Sequence, residues 1–148
     1  MRVVVQRVKE ASVSVNDKIV SKINKGFLLF VGLKSTDTLD EVKYIARKIA
    51  KLRIFSDDND KMNLSIDQVN GEILSISQFT LYGDTVKSNR PSFTEAMNYE
   101  IANQIYQQFN EILRTEYNLK VSPGVFGENM DIRLTNDGPV TIIIEKNK

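Results

Sequence analysis

The stretch Phe27-Leu28-Leu29-Phe30-Val31 is apolar at every position and lacks the polar alternation of a strand with one face in water. A strand of this kind is covered on both faces, so we expect it at the centre of a sheet. Before it, residues 11–15 and 19–23 alternate with period two around a turn at 16–18, which predicts two further strands. The first third of the chain therefore predicts a sheet.

Two amphipathic helices are predicted to lie on this sheet. Residues 38–41 have the spacing of a capping box, and the residues that follow carry an apolar stripe at helical spacing. The basic residues of this helix fall on the opposite face, which we interpret as solvated rather than as a phosphate contact: Lys43, Arg47, Lys48 and Lys51. A second helix with a stripe of the same kind is predicted from Asn98 to about residues 117–118.

The remaining stretches predict short strands. Asn70-Gly71 predicts a tight hairpin between residues 63–66 and a strand that begins at Glu72. Residues 130–134 and 140–144 are β-forming, and the turn residues between them predict another hairpin. The order of elements predicts one α/β domain over residues 1–148, with mixed or antiparallel β-sheet layers and two main helices packed on them.

The composition of the chain indicates its class of protein and its cellular compartment. The chain has 148 residues, is 41% hydrophobic and 26% charged, and contains no cysteine, as expected of one globular domain in a reducing compartment. The apolar run at the N-terminus is too short for a signal-peptide core, and no stretch approaches the roughly 20 apolar residues that span a bilayer. We therefore predict a cytoplasmic protein without membrane contact.

The absence of histidine restricts the chemistry. It excludes Ser-His-Asp machinery and, with no cysteine, leaves zinc without its usual nitrogen and sulfur ligands. The acidic run at residues 57–60 does not fit the EF-hand pattern, so we expect a solvated turn there. We predict neither a metal nor a cofactor. The net charge of +1 means that a nucleic-acid partner would need a local basic patch.

The candidate site is the stretch Ser77-Gln78-Phe79-Thr80-Leu81-Tyr82-Gly83, which follows an apolar run at residues 73–76. It brings hydroxyls, an amide and an aromatic ring to the end of a predicted strand, where backbone N–H groups are free to bind a ligand. Serine and threonine are also ordinary strand residues. Strict alternation would place Ser77 and Phe79 on one face and Gln78 and Thr80 on the other, unless the strand bends or ends there.

Taken together with Asn136-Asp137-Gly138-Pro139-Val140-Thr141, this stretch resembles the D-aminoacyl-tRNA deacylase family. The resemblance runs the length of the chain and includes residues 1–8, 90–93 and 124–127. The sequence departs from the family pattern at Ser88, where glycine is expected, and at Glu128, where a small residue is common. Both departures lie outside the two core motifs.

The resemblance implies hydrolysis of the ester between a D-amino acid and the terminal adenosine of tRNA, with glycyl-tRNA also accepted. It implies a homodimer in which Gly138 and Pro139, joined by a cis bond, enter the partner's active site. Their carbonyl groups would collide with an L side chain, so selectivity needs no side-chain pocket. The implied partners are therefore D-aminoacyl-tRNA and a second copy of the chain.

The resemblance places catalysis at Ser77, Gln78, Phe79 and Thr80. One candidate nucleophile is the Thr80 hydroxyl, which lacks an obvious base to accept its proton. The other is a water molecule positioned by the ribose 2′-hydroxyl, and in that mechanism backbone N–H groups near Phe79 and Thr80 hold the oxyanion. We favour water.

The remaining site residues surround these motifs. Arg7 is either a polar residue on an edge strand or a brace for the partner's Gly-Pro loop, and Asn136 and Thr141 are assigned supporting positions. Lys87 and Arg90 are either solvated loop residues or phosphate contacts for tRNA. We favour the phosphate contacts. Two other functions stay open: an RNA-binding module without catalysis, and a small-ligand or purely structural dimer.

Overall fold

The computed structural model describes residues 1–147. In chain order the elements are β1 (Arg2–Val15), β2 (Lys18–Ile23), β3 (Gly26–Gly32), α1 (Leu39–Lys51), β4 (Phe55–Ser56), β5 (Met62–Leu64), β6 (Glu72–Ser77), α2 (Tyr99–Thr115), β7 (Lys120–Pro123) and β8 (Asp131–Glu145), with 3₁₀ turns at Asp67–Val69 and Phe79–Tyr82. This is the mixed α/β domain with two main helices that the sequence predicts. No helix within residues 1–147 has the length and apolar character needed to cross a membrane.

The main sheet has the order β2-β1-β3-β6-β7, and β8 pairs with the other edge of β1. β3, β6 and β7 run parallel to one another, and β1 is antiparallel to its three neighbours. β3 lies between β1 and β6 and is buried along nearly its whole length, which confirms its predicted central position. The Ser21 hydroxyl donates to the Pro123 carbonyl at 2.7 Å, so β2 and β7 close the sheet toward a barrel.

The curved sheet divides the core in two. The smaller cluster, which includes Val8, Leu28 and Leu74, fills the inside of the curved sheet. The larger cluster joins the opposite face of the sheet to α1 and α2 through residues such as Phe27 and Ile45. Burial of apolar side chains on both faces of β3 explains why this strand carries no polar alternation.

Both helices begin at their predicted caps. The Thr38 side chain accepts a hydrogen bond from the Asp40 N–H, and Glu41 completes the capping box. Asn98 caps α2 by accepting from the Glu100 N–H at 3.0 Å, and the helix ends at Thr115, slightly before the predicted boundary.

Two predicted hairpins are wrong. Asn70 adopts a left-handed conformation (φ 51°) that ends a 3₁₀ turn, and β6 pairs with β3 and β7 rather than with β5. Residues 136–139 do not reverse the chain, because both halves of β8 pair with β1. Asn136 lies opposite Val8 and Thr141 opposite Gln6, so residues 137–140 form a bulge opposite Arg7.

Candidate active site

The candidate catalytic stretch lies where β6 ends. Ser77 is the last residue of β6, Gln78 donates its N–H to the Val31 carbonyl at 2.8 Å, and the chain then turns into the 3₁₀ turn Phe79–Tyr82. The strand therefore ends before its alternation can separate the four predicted residues onto two faces. In the turn, the first N–H groups have no acceptor within the helix, so those of Phe79 and Thr80 are available as donors.

Two contacts fix the position of this turn. The Arg2 guanidinium donates a hydrogen bond to the Leu81 carbonyl at 2.6 Å, and its Cζ lies 5.0 Å from the centre of the Tyr82 ring. Gly32 lets the turn approach β3 closely, because a Cβ there would lie 3.0 Å from the Leu81 Cβ and 3.2 Å from the Gln78 carbonyl oxygen. Arg2 is a site residue that sequence reasoning missed, since nothing in its local pattern points to Leu81.

A cleft of about 560 Å³ opens beside the turn. Ser77, Gln78 and Phe79 line one side, while Tyr99 and Phe126 are among the apolar and aromatic residues of the other walls. Tyr99 and Phe126 pack edge to face with ring centres 5.1 Å apart. Both are wall residues that the sequence does not identify, because they come together only in the tertiary structure.

Thr80 lies at the mouth of the cleft rather than in its lining. Its side chain is exposed, and its hydroxyl oxygen accepts a hydrogen bond from the Gln78 amide.

Glu128 is the only carboxylate among the described residues that line the cleft. The hydroxyl of Tyr106, another lining residue, donates to the Ser75 carbonyl at 2.7 Å, and burial raises its pKa. Tyr106 therefore stays protonated near neutral pH and is not a general base.

The Gly138-Pro139 loop is the exposed tip of the β8 bulge, and its peptide bond is cis. Arg7, largely buried, donates from Nε to the Asp137 carbonyl at 2.8 Å and from Nη1 to the Ile54 carbonyl at 2.6 Å. The Asn136 amide donates to the Thr141 hydroxyl at 3.1 Å. The structure thus brings the three supporting residues together around the loop of their own chain.

Within one chain, this loop is far from the turn at Phe79–Tyr82. Arg2 holds the turn and Arg7 holds the loop, so their anchor points on β1 are about 17 Å apart at the rise of a strand. The two anchors also project from opposite faces of β1, because their positions differ by an odd number of residues. The two predicted motifs therefore do not meet in the single chain.

Lys87 and Arg90 lie on an exposed loop beside the cleft. Asp84 and Ser92 pair through reciprocal backbone hydrogen bonds of 2.8 and 2.9 Å and close the base of this loop. Phe93 joins it to the turn at Phe79–Tyr82 by packing against Phe79, with ring centres 5.0 Å apart. Neither cation forms an ion pair with a described residue, so both are available to an anionic ligand.

Residues 1–147 contain no cluster of three or more carboxylate, histidine or cysteine side chains suited to a metal ion. The described lining of the cleft and the turn beside it present backbone N–H groups, hydroxyls and amides, together with the carboxylate of Glu128.

The chain matches the family model described as D-Tyr-tRNA(Tyr) deacylase over residues 4–145. It is 55% identical to a D-aminoacyl-tRNA deacylase of Exiguobacterium sp., with 99% of each chain covered, and 52% identical to one of Lactobacillus gasseri, with 98% of this chain and 99% of the other covered. Among solved structures, the c-Myc DNA Unwinding Element Binding Protein matches with a TM-score of 0.95 and 40% identity over 100% of both chains. A probable eukaryotic D-amino acid tRNA deacylase shares the fold, with a TM-score of 0.83 and 18% identity over 97% of both.

Proposed function

Because the chain belongs to the D-Tyr-tRNA(Tyr) deacylase family and is an enzyme that hydrolyses D-aminoacyl-tRNA, we propose that the turn at Phe79–Tyr82 binds the reacting ester and that a partner's Gly138-Pro139 loop selects the D-configuration. The observation that carries this proposal is the separation of the two motifs within one chain. We further propose that the enzyme acts in the cytoplasm, where it removes D-residues and glycine from mischarged tRNA.

The backbone N–H groups of Phe79 and Thr80 are proposed to hold the oxyanion. Attack on the ester carbonyl places a negative charge on its oxygen, and two fixed N–H donors at that position stabilise the charge without reorganisation. Close packing against Gly32 and the Arg2–Leu81 hydrogen bond fix the position of the turn that carries these donors. An aminoacyl ester is already reactive, so orientation and oxyanion binding supply enough rate without a charged catalytic side chain.

A water molecule is the proposed nucleophile, oriented by the 2′-hydroxyl of the substrate's own ribose. The Thr80 hydroxyl would need a base to accept its proton, and the chain has no histidine. The Thr80 hydroxyl oxygen accepts a hydrogen bond from the Gln78 amide, and this bond would reduce the nucleophilicity of the hydroxyl rather than raise it.

Thr80→Ala tests the choice of nucleophile, because it removes the hydroxyl and keeps the backbone N–H. We expect kcat for D-tyrosyl-tRNA to fall by less than about tenfold, an effect below roughly 1.4 kcal/mol. The measurement is single-turnover deacylation, with mass spectrometry of the quenched wild-type enzyme. An acyl group trapped on Thr80, or loss of all activity in a folded Thr80→Ala variant, would establish Thr80 as the nucleophile.

The partner's loop is proposed to present the carbonyl groups of Gly138 and Pro139 beside the substrate's α-carbon. An L side chain would collide with these carbonyls, while a D side chain or the hydrogen of glycine would not. The exposed loop, held at its base by Arg7 and Asn136, is suited to enter a neighbouring cleft.

This arrangement requires a homodimer. Light scattering at micromolar protein should give about twice the 16.9 kDa mass of one chain. A mass that stays at one chain while the enzyme retains full D-selectivity would exclude the loop's action on a partner.

Lys87 and Arg90 are proposed to contact phosphates at the 3′ end of the tRNA. Lys87→Ala and Arg90→Ala should raise KM for D-tyrosyl-tRNA and reduce the slope of log KM against log salt by about 0.7–0.9 for each lost contact. Lys22→Ala, on the exposed face of β2, is the matched control. Unchanged KM and slope in both variants would mean that these residues are only solvated.

The overall activity is tested by following loss of the acyl group from D- and L-tyrosyl-tRNA. The deacylase hydrolyses the D-substrate and spares the L-substrate. An RNA-binding module would bind both without hydrolysis, and a structural dimer would show no dependence on tRNA.

A further inference from the structure

The outer face of α1 is strongly basic. Lys43, Arg47 and Lys51 follow one another at intervals of four residues, so they form one row along the helix, and Lys48 lies beside this row. All four side chains are exposed. The acidic residues of α1 are confined to its first turn, where Glu41 is buried in the capping box. The exposed face beyond that turn therefore has no negative charge of its own.

Three cations converge on one aromatic ring at this face. Arg47 Cζ, Lys48 Nζ and Lys146 Nζ lie 5.8, 5.6 and 5.5 Å from the centre of the Tyr44 ring. Lys146 comes from the segment after β8, so the cluster joins two distant parts of the chain. We call Tyr44, Arg47, Lys48 and Lys146 the Tyr44 patch.

No described carboxylate neutralises the Tyr44 patch by an ion pair. Glu145, the residue before Lys146, pairs instead with Arg2 at 3.0 Å. Lys34 and Lys120, by contrast, are neutralised by ion pairs with Glu95 and Glu72. The chain as a whole carries only +1, so the patch is a local concentration of charge rather than a result of basic composition.

The Tyr44 patch is connected to the turn at Phe79–Tyr82 through the start of β1. The Lys146 N–H donates to the Met1 carbonyl at 3.0 Å, which places Lys146 beside the start of β1. The next residue, Arg2, is the anchor of the turn through Leu81. A polyanion whose end occupies the cleft can therefore extend across this edge of the molecule onto the patch.

We propose that the Tyr44 patch binds backbone phosphates in the acceptor arm of the tRNA whose 3′ end is in the cleft. This inference rests on the proposed function and extends it from the terminal nucleotides to the double-helical part of the substrate. Phosphates would relieve the mutual repulsion of the three cations, and releasing their counterions would contribute affinity that depends on salt but not on sequence.

The test compares two triple variants with the same change in charge. The patch variant is Arg47→Gln/Lys48→Gln/Lys146→Gln, and the control is Lys9→Gln/Lys18→Gln/Lys22→Gln, which changes one exposed residue of β1 and two of β2. Each is assayed with D-tyrosyl-tRNA and with D-tyrosyl-adenosine, which contains the ester but no acceptor arm.

We expect the patch variant to raise KM for D-tyrosyl-tRNA about tenfold or more and to lower the log–log salt slope by about 2, while the control changes neither. Both variants should hydrolyse D-tyrosyl-adenosine at the wild-type rate. If the patch variant matches the control on tRNA, or is equally impaired on D-tyrosyl-adenosine, the patch does not bind the acceptor arm. If the wild type hydrolyses neither substrate, it is the proposed function that fails.

Discussion

Phe79→Pro should lower kcat for D-tyrosyl-tRNA by about 10²–10³ relative to Phe79→Ala, the effect of removing one oxyanion donor (about 2.7–4 kcal/mol). Both variants lose the aromatic ring, but only proline also loses the backbone N–H. Proline is tolerated here because Phe79 is the first residue of the 3₁₀ turn, where the N–H has no acceptor within the helix.

The comparison is made by single-turnover deacylation, with thermal unfolding to show that the two variants are equally folded. Phe79→Ala by itself reports what the ring contributes through its packing against Phe93. Equal kcat values for the two variants would remove the Phe79 N–H from the mechanism and leave that of Thr80 as the donor to test.

The position of β3 and the starts of both helices, which follow from local sequence, are confirmed. The uninterrupted apolar character of residues 27–31 fixes β3 at the centre of the sheet, because only a strand covered on both faces tolerates it. Thr38 and Asn98 identify the starts of both helices through hydrogen bonds to N–H groups two residues ahead.

The two wrong hairpins have a common cause. Asn70-Gly71 and residues 136–139 have good turn chemistry, but turn chemistry does not specify whether a chain reverses, ends a 3₁₀ turn or forms a bulge. In β8 the outcome is decided by β1, whose 14 residues are long enough to pair with both halves. That information is more than a hundred positions away from the loop.

The candidate site was likewise predictable only in part. Residues 77–80 were identified through two motifs that resemble a family, since their composition alone is ordinary for a strand. The walls at Tyr99 and Phe126 and the anchor at Arg2 depend on tertiary contacts, such as the one between Arg2 and Leu81. Arg7 is found against the Asp137 carbonyl of its own chain, which gives it a role in shaping the loop before any partner binds.

Gly138→Val should reduce kcat/KM for D-tyrosyl-tRNA by about 10²-fold, the usual cost of misplacing a group that positions the substrate by about 1 Å. Gly138 has a φ of 144°, and a Cβ there would lie 2.9 Å from the Val140 backbone nitrogen and 3.2 Å from Arg7 Nη2. The side chain would therefore displace the loop that Arg7 holds. Thr135→Val, at an exposed position of β8 outside the bulge, is the control for the strand itself.

Pairing this variant with Phe79→Pro determines which subunit's loop serves which site. Two differently tagged chains, one carrying Gly138→Val and the other Phe79→Pro, are co-expressed and the heterodimer is purified through both tags. If the loop acts on the partner, the intact turn of the first chain receives the intact loop of the second, and about half of the wild-type activity returns although both homodimers are impaired. If the loop acts within its own chain, each site in the heterodimer carries one defect, and activity stays at the level of the two homodimers.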